Sequence, residues 1–130
     1  AAAAGRPRAG YTARPVTQAD DARARGENLF RTAAPACNAC HSTQPGADMA
    51  GPSLAGIATR AQRTIASPDY TGKATDVEGY IRESIRTPSR YLVSGPMYSA
   101  NGVSFMPNTY PDTLTEQQVD DLAAYLASFR

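Results

Sequence analysis

Three stretches of the chain repeat apolar residues at helical spacing, and Pro- and Gly-rich stretches separate them. The first begins at Thr17. "TQAD" has the form of a capping box, with Thr17 at the N-cap and Asp20 three residues on. The pattern predicts a helix through "DARARGENLFRTA" that stops before Pro35. Gly26 lies inside that helix, where it costs about 1 kcal/mol relative to Ala. A glycine in such a place marks the close approach of another backbone. The second helix is predicted from "TDVE", Thr75 to Glu78, with Val77, Tyr80, Ile81 and Ile85 forming one apolar face and Pro88 ending it. The third starts near Thr115, capped from Thr115 by Gln118 or from Thr113 by Glu116. Val119, Leu122, Ala123, Leu126 and Phe129 make its stripe.

The intervening segments are rich in turn formers. Residues 42–75 predict loops with a short helix around Ser53–Arg60. Residues 88–114 predict a long loop carrying two methionines, and a loop of that length in a compact domain is functional or disordered. No segment alternates convincingly as a strand. The pattern is that of an all-α protein with long structured loops.

Composition sharpens this. The chain has 130 residues and a formal net charge of +1, enough for one domain and too balanced to imply a nucleic-acid partner. No apolar run is long enough to cross a bilayer. The hydrophobic share of 42% leans on Ala, with no Trp and three Phe, while Gly and Pro number ten each. Burial of side chains alone would struggle to offset the entropy of ordering such a chain. A large apolar cofactor in the middle would supply the missing core. Residues 1–16 carry Arg6, Arg8 and Arg14 with no acid, which predicts an extended tail or linker before a domain of residues 17–130. The "AAAAG" start without Met suggests a processed chain that has lost a leader or a membrane anchor.

Both cysteines and the only histidine fall within "CNACH", residues 37–41. Cys-x-x-Cys-His is the attachment signature of c-type haem. On a helical turn Cys37 and Cys40 share a face, so both thiols can reach the two vinyl groups of one porphyrin. His41 is then carried to the iron. A thioredoxin-like Cys-x-x-Cys would follow a strand, whereas a helix precedes this one. A zinc site needs four ligands, and the chain holds three Cys and His residues in all.

With these features the chain resembles the class I c-type cytochromes of bacteria over residues 17–130. "GENLF" in the first helix and "DLAAYL" in the last are similar to the family's two terminal helices, which cross at a glycine. The resemblance implies that Gly26 packs near Leu122 and Tyr125 with Phe30 beside them. "GPSLAGIATR" resembles the segment after the haem motif. It implies that the Pro52 carbonyl accepts the Nδ1 hydrogen of His41, and that Arg60 and Tyr70 serve the haem propionates. The Trp that does so in some members is absent. "SFMPNTYPDTL" resembles the Met-Pro loop and implies Met106 as the sixth ligand, with Met97 as the runner-up and Met49 in the wrong segment. "RTPSRYLVSG" resembles the lead into that loop, with Tyr91 a packed aromatic.

The implied cofactor is one haem c, covalent through Cys37 and Cys40 and ligated by His41 and Met106. An iron capped by two side chains suits one-electron transfer rather than catalysis. The implied partners are redox proteins: a quinol-oxidising complex, a terminal oxidase or a reaction centre. No small-molecule substrate is implied. The expected location is the periplasm or the outer face of the bacterial cytoplasmic membrane. The alternative is a haem-c subunit of a larger membrane complex, with the tail reaching a neighbour. A peroxidase or gas sensor fits less well, because it needs a vacant distal site and acid–base groups, and the only His is taken.

Overall fold

The computed structural model describes residues 17–130. The expected tail, residues 1–16, lies outside them. Helix α1 spans Gln18–Thr32 and α2 Ile57–Ala66. Helix α3 spans Val77–Arg86, α4 Tyr110–Thr113 and α5 Glu116–Leu126. Cys37–Ala39 forms one turn of 3₁₀ helix, and strands β1 (Ser99–Ala100) and β2 (Val103–Ser104) make a small antiparallel hairpin. No helix among the described residues is long and apolar enough to cross a membrane.

Helix α1 starts where its cap requires. The Thr17 hydroxyl accepts from the Asp20 N–H at 3.1 Å, and the Asp20 carboxylate accepts from the Thr17 N–H at 3.2 Å. The same reciprocal box closes α5 between Thr115 and Gln118 rather than from Thr113. Helix α3 differs from expectation: its N-cap is Asp76, whose carboxylate accepts from the Gly79 N–H at 2.7 Å, not Thr75. Asp caps as well as Thr does, and here it leaves a side-chain-free residue at the third helical position. Helix α2 also begins later than predicted, because Gly56 at φ 68° breaks the chain direction just before Ile57. The loop of residues 88–114 is not strand-free. Asn101 and Gly102, both at positive φ, turn the hairpin, and Asn-Gly between short apolar runs is the signal for such a turn.

Helices α1 and α5 make the most extensive contact in the molecule. A Cβ built on Gly26 would lie 2.0 Å from the Asp121 carbonyl oxygen and 2.7 Å from Tyr125 Cβ. The helices are therefore as close as backbone allows, and only Gly fits. Phe30, one turn on, meets Tyr125 edge-on at 5.9 Å between ring centroids. Leu122, Ala123, Val119 and Leu126 of α5 are buried here, joined by Tyr80, Ile81 and Ile85 of α3. One charge sits among them: Asp121 is 2% exposed and accepts from Arg25 Nε at 2.8 Å and Gln117 Nε2 at 2.9 Å.

Candidate haem site

The haem-attachment turn is built from three backbone hydrogen bonds. The N–H groups of Cys40 and His41 both donate to the Cys37 carbonyl, at 3.2 and 2.9 Å, and that of Ala39 donates to Ala36 at 3.1 Å. This 3₁₀-type turn sets Cys37, Cys40 and His41 along one wall of a cavity. The two cysteines are not bonded to each other. Burial pushes the Cys37 thiol up to about 11, so it stays protonated at neutral pH.

His41 is oriented by the loop that follows it. Its Nδ1 lies 2.8 Å from the Pro52 carbonyl oxygen. A carbonyl can only accept, so Nδ1 carries the proton and Nε2 keeps the lone pair a metal needs. Burial holds the imidazole below its ordinary pKa and so favours this neutral form, partly opposed by the Pro52 hydrogen bond, which raises it. Gly51 makes room for the ring. A Cβ there would sit 2.5 Å from His41 Cε1 and 2.8 Å from its Nδ1. The Gly51 N–H in turn donates to the Cys40 carbonyl at 2.8 Å, tying the loop back to the attachment turn.

Other elements close the cavity. Tyr80, Ile81, Ser84 and Ile85 of α3 line it, with Leu54, Ile57 and Leu126. From the long loop come Pro88, Tyr91, Val93, Tyr98, Phe105 and Met106. Met106 is thus the methionine on the cavity wall. Met97 is not on it and is 61% exposed, and Met49 is 41% exposed.

Two expected residues lie elsewhere. Arg60 is not on the cavity wall. It occupies the first turn of α2 and donates to the backbone carbonyls of Ser53, at 2.6 Å, and Ala55. The positive φ of Gly56 folds α2 back, which turns the guanidinium onto the 53–55 segment next to Pro52. These contacts brace the segment under the His41-orienting loop. Tyr70 is likewise off the wall. Its hydroxyl donates to the Glu83 carboxylate and accepts from the Ala74 N–H at 3.0 Å. Burial and the Glu83 contact push this phenol up to about 12. Its ring packs on Tyr91 and Tyr80, centroids 5.4 and 6.1 Å away, so it supports the wall from behind.

Sequence reasoning passed over Gly51, whose role shows only once the His41 ring is in place. It also passed over Tyr110, 3% exposed, whose hydroxyl donates to the Pro35 carbonyl at 2.5 Å. That bond fastens α4, just past Met106, to the segment before Cys37. Burial pushes the Tyr110 phenol up to about 12, so it remains a donor at all ordinary pH.

The residues fit a haem c. Two thiols and a neutral imidazole share a wall, the remaining lining is mostly apolar, a thioether lies on the same cavity, and Gly51 provides a cradle that any side chain would fill. The comparison with curated proteins found no match. The family model described as Cytochrome c matches residues 23–130, from within α1 to the end of the chain. Covalent haem is that family's cofactor, and the cysteines that would hold it here are Cys37 and Cys40. By that match, and by the crossing of its terminal helices beside such a cavity, this chain belongs to the cytochrome c family.

Proposed function

We propose that the protein is a one-electron carrier whose haem iron is held by His41 and Met106. The carrying observation is that Met106 lines the cavity with Cys37, Cys40 and His41, whereas Met97 points its surface to solvent. The haem supplies the redox couple. The chain's residues do the rest. Cys37 and Cys40 would hold it in place, the Pro52 carbonyl aims the His41 ring so that Nε2 can bind the iron, and Met106 would supply a thioether as the second protein ligand. The apolar lining keeps water from the iron and, with thioether ligation, raises the potential relative to a bis-His site. Such a centre passes electrons between membrane redox complexes of a respiratory or photosynthetic chain. Its donor and acceptor are a quinol-oxidising complex and a terminal oxidase or reaction centre, and it works in the periplasm or at the outer face of the cytoplasmic membrane.

The test is an optical spectrum of purified protein. Oxidised wild type is expected to show the weak far-red band of Met–Fe(III) ligation. Met106→Ala loses it, and Met97→Ala keeps it. The reverse result would transfer the ligand to Met97. Carbon monoxide binding to reduced wild type at neutral pH would defeat the carrier reading.

A further inference from the structure

From residue 104 to residue 106 every backbone N–H has a partner. The Ser104 N–H donates to the Ser89 hydroxyl at 3.0 Å and the Phe105 N–H to the Tyr98 carbonyl at 2.9 Å. The Met106 N–H donates to the Ser104 hydroxyl at 3.1 Å. Residue 107 is proline, with no N–H and a fixed φ. The backbone that carries the thioether therefore has little freedom to turn.

The two ends of this run are fastened to different parts of the molecule. Upstream, Ser89 lies between Pro88, buried on the cavity wall, and Arg90. The Arg90 carbonyl accepts from the Thr71 hydroxyl, and its guanidinium reaches Glu83 of α3 at 3.7 Å. Ser104 is thus tied back to α3. Downstream, the Tyr110 hydroxyl donates at 2.5 Å to the carbonyl of Pro35, just before the attachment turn. Tyr110 is 3% exposed, so water does not compete freely for that bond. The two anchors share no partner, and Met106 lies between them.

The chemistry of the ligand gives such bracing a purpose. Methionine ligation raises the potential of a haem, which means that it favours ferrous iron over ferric. The oxidised state is therefore the one in which the sulfur is most easily displaced. A tethered ligand competes through its effective concentration, and that concentration falls when the tether gains freedom. Resting on the carrier reading above, we propose that Ser104 and Tyr110 are positioning residues for the sixth ligand, anchors on either side of Met106 that keep its sulfur on the iron in the oxidised state. Ser89 supports the first anchor from behind. All three act through the place in which they hold the chain.

Competition by free imidazole on the oxidised haem protein reads this directly. An imidazole nitrogen lone pair takes the position that the sulfur lone pair leaves, with no electron or proton changing hands, and the far-red band disappears as it binds. Ser104→Ala and Tyr110→Phe, the second of which keeps the ring, are each expected to bind imidazole about three- to tenfold more tightly than wild type, as the net worth of one hydrogen bond implies. The double variant should multiply the two factors, because the anchors are independent. Ser89→Ala should tighten binding in the same direction. Gly26→Ala is the control. It loosens the α1–α5 crossing at Asp121 and Tyr125, away from the Met106 loop, and should leave the affinity within about twofold of wild type. Wild-type affinity in both Ser104→Ala and Tyr110→Phe would overturn the proposal. So would equal tightening by Gly26→Ala, which would show that the sulfur answers to overall stability rather than to its anchors. A protein that has its far-red band and gives either result loses the anchors alone; one that lacks the band before any imidazole is added loses the carrier reading on which they rest.

Discussion

Asp121 is the one carboxylate buried in the helix crossing, and it is stabilised there by hydrogen bonds rather than by water. Its pKa lies below the ordinary carboxylate value, chiefly through the hydrogen bond from Arg25, with Gln117 adding to it and burial opposing. The unfolded chain binds this proton near pH 3.9, the folded chain only at lower pH. The stability Asp121 contributes is therefore whole above about pH 4 to 5 and is lost as pH falls through the folded value. Asp121→Asn should lower stability at pH 7 by about 1–3 kcal/mol. It should also flatten the acid limb, since Asn does not titrate. Urea unfolding followed by circular dichroism across an acid series measures both, and parallel acid limbs in the two proteins would refute the assignment. Nothing in the apolar periodicity of α5 signals that this position is buried. Asp121 follows the stripe residue Val119 by two, which a helical wheel puts off the stripe, and only the glycine-permitted closeness of α1 covers it. Cys37, Cys40 and His41, by contrast, were legible outright, because their chemistry is contiguous. Gly51 and Tyr110 act through contacts with residues ten and seventy-five positions away, at His41 and Pro35, and sequence spacing carries no trace of that.

Among the elements, the α1–α5 crossing depends most on one residue. Gly26 weakens α1 by its intrinsic propensity, and Ala would improve the isolated helix by about 1 kcal/mol. In the protein the sign reverses. The added Cβ would meet the Asp121 carbonyl at 2.0 Å, and that atom belongs to the backbone of a packed helix and cannot rotate away. Gly26→Ala should force α1 and α5 apart and cost about 1–3 kcal/mol net. The midpoint of urea unfolding should fall with little change in slope. A variant as stable as wild type would mean the helices are not held at this distance in solution. The caps at Thr17 and Thr115 and the two terminal helices could be placed from sequence, since cap and stripe are local signals. Helix α2 and the hairpin could not be placed as well. The start of α2 is set by the positive φ of Gly56 and by Arg60 folding onto the 53–55 carbonyls. Strands of two residues carry too little alternation to register, although Asn101–Gly102 advertised the turn.

At the scale of the whole molecule, the fold and its cofactor are one structure. Among the described residues, only Leu122 and Val119 of the larger side chains are sealed almost completely from solvent. Tyr80, Ile81, Ile85, Leu54 and Leu126 are counted in the core, yet each also faces the haem cavity. Helix α3, the 50–57 segment and the Met106 loop therefore pack on the porphyrin as much as on one another. The same loops hold the attachment turn through Gly51 on Cys40 and Tyr110 on Pro35. A chain that cannot attach haem loses the porphyrin as a packing partner for these five side chains and opens the apolar cavity between them to water. A domain this size has only about 5–15 kcal/mol of stability in all, so losing that packing is a large fraction of it. Cys37→Ser with Cys40→Ser should consequently abolish the cooperative thermal transition, while α1 and α5 keep part of their helicity through their own crossing. Far-ultraviolet circular dichroism would show residual helix, and calorimetry would show no heat-absorption peak. A sharp transition in the haem-free double variant would show that the polypeptide builds its core without the cofactor, and that the loops around the cavity are ordered by their own contacts.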